Sequence, residues 1–332
     1  MRCLLSVVAF LLTLSLVTPT VTAQEATPSG ANPFADLGLP TLDITVTATG
    51  YEGIPDSLEA GRYLVTATAG EGTDEFGGGV AFIQPAGMSG DEFITMLGEL
   101  SGPPDESGVG SAAATPLAGG ATEASPAAEE EMGGPPPVFF ESGMAGGTYA
   151  PPGGSAQVVL DLTPGEWVAW GDAPVAAQQP VAFEVTGEMP ADLPEPESSA
   201  TLTMGEYVIE VTEGDLTTGS QVIRVDNIGA QPHFIGWVQG PDGLTEDQVQ
   251  TLLDEEMAAE MTGTPPAYSD LNPEEDFTDV IFTATQSTGT SQWVQVDDVQ
   301  AGTHLMICFF PDLGDGRPHA YHGMYNLVEV GE

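Results

Sequence analysis

The chain has 332 residues, and its 50 Asp and Glu stand against four Arg and no Lys, for a formal charge of −46. A surface of that sign repels nucleic acid and anionic lipid, which excludes an anionic membrane surface and any nucleic acid as partners. It permits a cationic redox partner steered by the field, but neither the identity of that partner nor the oligomeric state can be read from composition.

Residues 1–23 are expected to be a cleavable signal peptide. Arg2 supplies the positive start, Leu4 to Val17 the apolar core, and Val21-Thr22-Ala23 the small-residue cleavage site before Gln24. The mature protein is therefore expected to be secreted or extracytoplasmic. Removing these residues, which carry Arg2 and no acid, takes the charge from −46 to −47 and leaves Cys308 as the sole cysteine. One thiol builds no disulfide framework. Outside the cytoplasm it oxidises unless it is buried or ligated.

Residues 24–40 read as a flexible lead-in. From Leu42 the pattern alternates apolar with polar, as it does again at Tyr63 to Thr68 and at Val80 to Ile83, which predicts strands. A helix is expected over Ser89–Leu100, capped by Ser89, with Phe93, Met96, Leu97 and Leu100 on one face. Residues 101–136 read as a disordered insertion. Strands are expected at Val138-Phe-Phe, Ala156 to Leu162, Glu166 to Trp170 and Val181 to Val185, followed by a Pro/Glu linker at 190–199.

The second half echoes the first. Phe234-Ile-Gly-Trp-Val-Gln-Gly-Pro241 matches Gly78-Gly-Val-Ala-Phe-Ile-Gln-Pro85 at an offset of 156, and a helix is expected again over Thr245–Met257. Gln292 to Cys308 parallels Ala156 to Gly171, with Gly302 facing Gly165. The expected fold class is all-β: two tandem β-sandwiches at 41–189 and 200–332, each with one short helix. Gly and Pro turns between short strands favour a Greek-key sandwich over a barrel. The repeat also supplies an internal control. Gly77 stands where the second copy has His233, Gly171 where it has Cys308, and Gln179 near the Met324 position. The first copy keeps scaffold residues and lacks these three side chains, which argues that they serve something beyond packing.

Near the chain end, Cys308, His319 and Met324 follow the spacing Cys-x10-His-x4-Met, and Pro232-His233 lies upstream after Asn227. A thiolate, imidazole nitrogens and a weak thioether form the donor set of a one-electron copper site. This Cys–His–Met loop, closed by a distant histidine, resembles the cupredoxin (blue copper) family over roughly the last 130 residues, about one domain. The resemblance implies one type 1 copper in the C-terminal domain, with Cys308, His233 and His319 as the trigonal set and Met324 as axial ligand. The His-x4-Met part equals that of plastocyanin-like members, while Cys-x10-His is nearer the long loop of copper nitrite reductases. His322 is the rival for the second nitrogen. His304 lies four residues from the thiol along a strand, about 13 Å away at normal rise, and reads as a core histidine.

Enzymatic alternatives fail on counting. A multicopper oxidase requires more histidines than the four present, and a copper nitrite reductase keeps a histidine beside the cysteine, where Phe309 stands. A binuclear copper site needs two thiolates. Structural zinc spacings, phosphate loops and nucleophile elbows are absent. The sequence thus predicts an exported, non-enzymatic copper protein that transfers an electron. The alternatives are a metal-free interaction protein on the same scaffold and a Cu(I) storage or delivery protein.

Overall fold

The computed structural model describes residues 32–73, 77–100, 135–172 and 178–331. The signal peptide expected at 1–23, the start of the lead-in and all but the last two residues of the insertion expected at 101–136 lie outside the described residues.

The chain is mostly β. The first half supplies β1 (Thr41–Val46), β2 (Tyr51–Glu52), β3 (Ser57–Glu59), β4 (Gly61–Ala69), β5 (Gly78–Gln84), β6 (Gly143–Ala150), β7 (Ser155–Leu162), β8 (Gly165–Trp170) and β9 (Val181–Thr186). The second half supplies β10 (Ala200–Gly205), β11 (Val208–Gly214), β12 (Gly219–Asn227), β13 (Gly236–Gln239), β14 (Thr278–Phe282), β15 (Ser291–Val299), β16 (Gly302–Ile307) and β17 (Tyr325–Val330). Among the described residues there are also helices α1 (Gly90–Leu100), α2 (Val138–Glu141), α3 (Glu246–Thr262) and α4 (Pro273–Asp276).

The halves do not form separate sheets. An eight-stranded sheet runs β11-β10-β12-β15-β7-β4-β1-β2, and its centre is the antiparallel pair β15·β7, where Trp293 faces Val159. The order on either side of this seam is mirrored. Smaller sheets, β3-β9-β8-β5-β6 and β14-β13-β16-β17, contribute to the same apolar cluster as the large sheet. That cluster takes in Ile44, Val65, Phe82 and Leu160 from the first half and Val225, Trp237, Met306 and Val294 from the second. Val158, Val159 and Leu160 are all buried, because β7 is covered on both faces.

Both longer helices start on a reciprocal cap. Ser89 N donates to Glu92 and Glu92 N to Ser89 Oγ, and Thr245 and Gln248 repeat the pattern. Phe93 and Leu97 of α1 pack on Val168 and Trp170, and Val249 and Leu253 of α3 pack on Leu305 and Ile307.

Two expectations are corrected. Val138-Phe-Phe is a helical turn, not a strand. Pro135, Pro136 and Pro137 precede it and cannot donate to a ladder, while their fixed φ suits a helix start. Phe139 then stacks on Trp170 at 5.7 Å. Within the lead-in, Phe34 is buried against Leu64, Val159 and Trp293, so the last part of that segment is anchored.

The linker crosses the outer face of the seam. Arg62 and Arg224 lie over the Trp293 ring, 4.3 and 5.3 Å from its centroid. Arg62 pairs with Asp161 at 2.7 Å and donates to Pro194 O, and Arg224 pairs with Asp226 at 2.8 Å and with Glu195.

Candidate metal centre

Three of the four predicted donors meet at one end of the second half. His233 Nδ1 and His319 Nδ1 lie 2.9 Å apart, and Cys308 Sγ lies 3.9 Å from the first and 3.8 Å from the second. All three residues are fully buried. They arrive from separate pieces of chain: the segment after β12, the end of β16, and the turn before β17.

Each is fixed locally. Asn227 ends β12 and donates from Nδ2 to Gln231 O at 2.9 Å and Gln286 O at 2.7 Å, while its Oδ1 accepts from Gly229 N. His233 and Gln286 then exchange both backbone hydrogen bonds, at 3.0 and 2.8 Å. Cys308 N donates to Met324 O at 3.1 Å, His319 N to Phe310 O at 2.8 Å, and Met324 N to His319 O at 3.0 Å. Met324 is buried in the same core cluster as Cys308. Its backbone thus ties the thiol-bearing strand to the imidazole-bearing turn.

Electrostatics follow from burial. Desolvation pushes the Cys308 thiol up to about 12, against the backbone N–H groups of Phe234 and Phe310, which favour the thiolate. Desolvation lowers His233 and His319 to about 4 each, so both rings are neutral at ordinary pH; Glu206 opposes the shift at His233, while His233 itself adds to it at His319. A neutral imidazole keeps one nitrogen lone pair, which a metal ligand requires.

Outside the rings lies a polar cap that sequence reasoning missed. Tyr207 Oη donates to Asp312 Oδ2 at 2.5 Å, and Gln231 Nε2 donates to Asp312 at 2.8 Å and to Glu206 at 3.2 Å. Glu206 also accepts from the backbone N–H groups of Ala230 and Gln231. Burial works against ionisation of Asp312, but donors from Gln231, Tyr207, Gly314 and Asp315 hold it down at about 2. With so many carboxylates in the chain, no local pattern marked these two.

The remaining histidines lie elsewhere. His322, the rival ligand, is half-buried and faces Asp315 at 3.2 Å, apart from the thiol. His304 accepts from Trp237 Nε1 at 2.9 Å and meets Gln300 O with its other nitrogen, as a core histidine does.

The first half reaches this site. Gly147 N donates to Gln292 Oε1, Gln292 Nε2 to Gln286 Oε1 at 2.9 Å, and Gln286 backs His233. Ser287 Oγ bridges Ser142 O and Met144 N, and Phe140 packs edge-on against Phe310.

No family model and no curated protein matches the chain. Among solved structures, reduced auracyanin from the photosynthetic bacterium Roseiflexus castenholzii is similar over 40% of this chain and 95% of its own, at 20% identity and a TM-score of 0.26. Auracyanin A of Chloroflexus aurantiacus, described as a "blue" copper protein, is similar over 40% of this chain and 96% of its own, at 20% identity and 0.25. A multi-copper oxidase from Pediococcus acidilactici covers 89% of this chain and 60% of its own, at 11% identity and 0.20. Scores this low carry no argument about the chemistry, which rests on the donor geometry.

Proposed function

We propose that this is an exported, cupredoxin-like protein whose second half binds one copper ion and passes single electrons. In this reading the chain is two tandem Greek-key sandwiches joined through the β7·β15 pair, the first a degenerate copy without ligands. The observation that carries the proposal is the convergence of one sulfur and two imidazole nitrogens, all buried, within 3.9 Å of one another.

Copper held by such a set supplies a reversible one-electron couple. The chain's own part is to hold the donors still. His233 is held by Gln286 and Asn227, Cys308 and His319 are tied through Met324, and burial keeps water from the sulfur. Backbone N–H groups of Phe234 and Phe310 stabilise the thiolate. Met324 is proposed as the weak axial donor.

A second reading, a metal-free interaction protein, is favoured by one feature: the two Nδ1 atoms already satisfy each other at 2.9 Å. Copper titration of the purified mature chain, followed by metal analysis and visible absorption, separates the readings. One equivalent bound with an intense visible band is expected on oxidation. Bound Cu(I) without colour points to storage or delivery, and absence of bound copper overturns the proposal.

A further inference from the structure

The outer nitrogens of the two imidazoles are an unresolved feature of the site. His233 Nε2 and His319 Nε2 are buried and have no hydrogen-bond partner. A buried polar atom without a partner has lost its hydration for nothing in return, so it needs an explanation. Each faces a carboxylate: Glu206 Oε1 lies 3.6 Å from His233 Nε2, and Asp312 Oδ2 lies 4.0 Å from His319 Nε2. Nothing stands between the first pair. A Cβ at Gly229 would fall 2.6 Å from His233 Nε2 and 2.9 Å from Glu206 Oε1, so the glycine keeps that approach open.

The inner nitrogens say which state is short of partners. A contact of 2.9 Å between two Nδ1 atoms requires a proton on one of them. That ring, when neutral, carries a bare Nε2 lone pair opposite a carboxylate. Were a metal held through both Nδ1 atoms, neither could keep a proton: the ring protonated at Nδ1 would lose that proton and gain one on Nε2, and the thiol would lose its proton to solvent. Both outer nitrogens become donors, and both carboxylates are waiting for them.

We propose, resting on the copper reading above, that Glu206 and Asp312 are positioning residues for the metal centre. Glu206 accepts the Nε2–H of His233 and Asp312 that of His319, which fixes both rings with Nδ1 toward Cys308. The caps are themselves clamped, Asp312 by Tyr207 and Gln231, and Glu206 by the 230–231 backbone. Tyr207 also packs edge-on against the His319 ring at 5.5 Å from a left-handed backbone position, φ 58°.

The test uses the full mature chain loaded anaerobically with Cu(I), which is diamagnetic. Two-bond imidazole ¹H–¹⁵N correlations are expected to show both His233 and His319 as Nε2–H tautomers with slowly exchanging protons. Glu206→Ala and Asp312→Ala are each expected to weaken Cu(I) binding about 10–100-fold, the usual cost of losing an outer partner of a ligating histidine. Only the facing ring's Nε2–H then exchanges faster. Glu206→Gln, which keeps an oxygen acceptor, recovers most of the affinity. A purely structural role lowers the melting temperature of free and loaded protein equally and leaves affinity and proton exchange unchanged; that result overturns the proposal. If the unmodified chain binds no copper, the metal reading fails and this proposal fails with it. If it binds and both Ala variants bind equally well, only the positioning role is lost.

Discussion

The corresponding ends of the two halves have the same frame and opposite contents. Strands β8 and β16 each begin at a glycine with positive φ, 141° at Gly165 and 132° at Gly302, and run on to Gly171 in one case and Cys308 in the other. In the second half that end encloses three convergent donors. In the first, Gly77 has φ 89°, and a Cβ there would run into the carbonyl of Ala150 and the backbone of Pro151 and Pro152. Backbone fills the place of the imidazole. Beyond Gly171, Asp172 accepts from Tyr149 Oη and from Thr285 N and Oγ1, and Thr285 belongs to the other half. One end gathers three donor side chains, and the other is tied to the second half through Asp172 and Thr285.

The sharpest way to break this comparison is Cys308→Ser. Copper binding and its visible band are expected to vanish, while the unfolding free energy falls by only about 1–3 kcal/mol for burying a hydroxyl. Gross unfolding, read by circular dichroism, would return Cys308 to the status of plain core. Next in size, Gly77→His is expected to cost about 3 kcal/mol in denaturant unfolding, through positive φ and steric overlap, and to create no second copper site. A stable variant binding two equivalents would show that the first end was only missing a ligand.

Gln292→Leu asks whether the halves are coupled. It strands Gly147 N–H and Gln286 Oε1, at about 1–3 kcal/mol. Copper affinity is expected to fall as well, because Gln286 loses the partner that steadies it behind His233. Affinity unchanged in a titration would make the first half a bystander. The smallest effect concerns Asp172. Burial raises its carboxyl to about 6, against hydrogen bonds from Thr285 and Tyr149 that lower it. The folded chain therefore keeps a proton that the unfolded chain has released between roughly pH 4 and 6, and stability falls as pH rises through that window. Asp172→Asn, which tolerates the left-handed backbone, is expected to flatten this part of the melting-temperature profile.

Much of this was readable from residue order. Alternation placed most strands of the first half, Ser89 announced its helix, and the Cys308 and His319 spacing with the distant His233 picked out three side chains that converge. What escaped depends on three-dimensional neighbours. The β7·β15 seam joins residues more than a hundred positions apart, though the unbroken apolar run Val158-Val-Leu160 hints at a strand covered on both faces. Val138-Phe-Phe has strand-forming side chains but is governed by the prolines before it. Glu206 and Asp312 are ordinary carboxylates until Gln231 and Tyr207 hold them over the rings, and Gln286 and Gln292 look like any polar strand residues.

The two guanidiniums stacked on Trp293 place scarce cations where the halves meet. Withdrawing salt lengthens the Debye length from about 8 Å at physiological strength to about 30 Å at 0.01 M. Repulsion among the carboxylates then spreads across the whole surface, while the attraction of Arg62 for Asp161 and of Arg224 for Asp226 and Glu195 strengthens. In dilute buffer the outer strands should therefore loosen before the seam. Amide exchange along β7 and β15 is expected to slow relative to the outer strands as ions are removed, the joint being the last part to open.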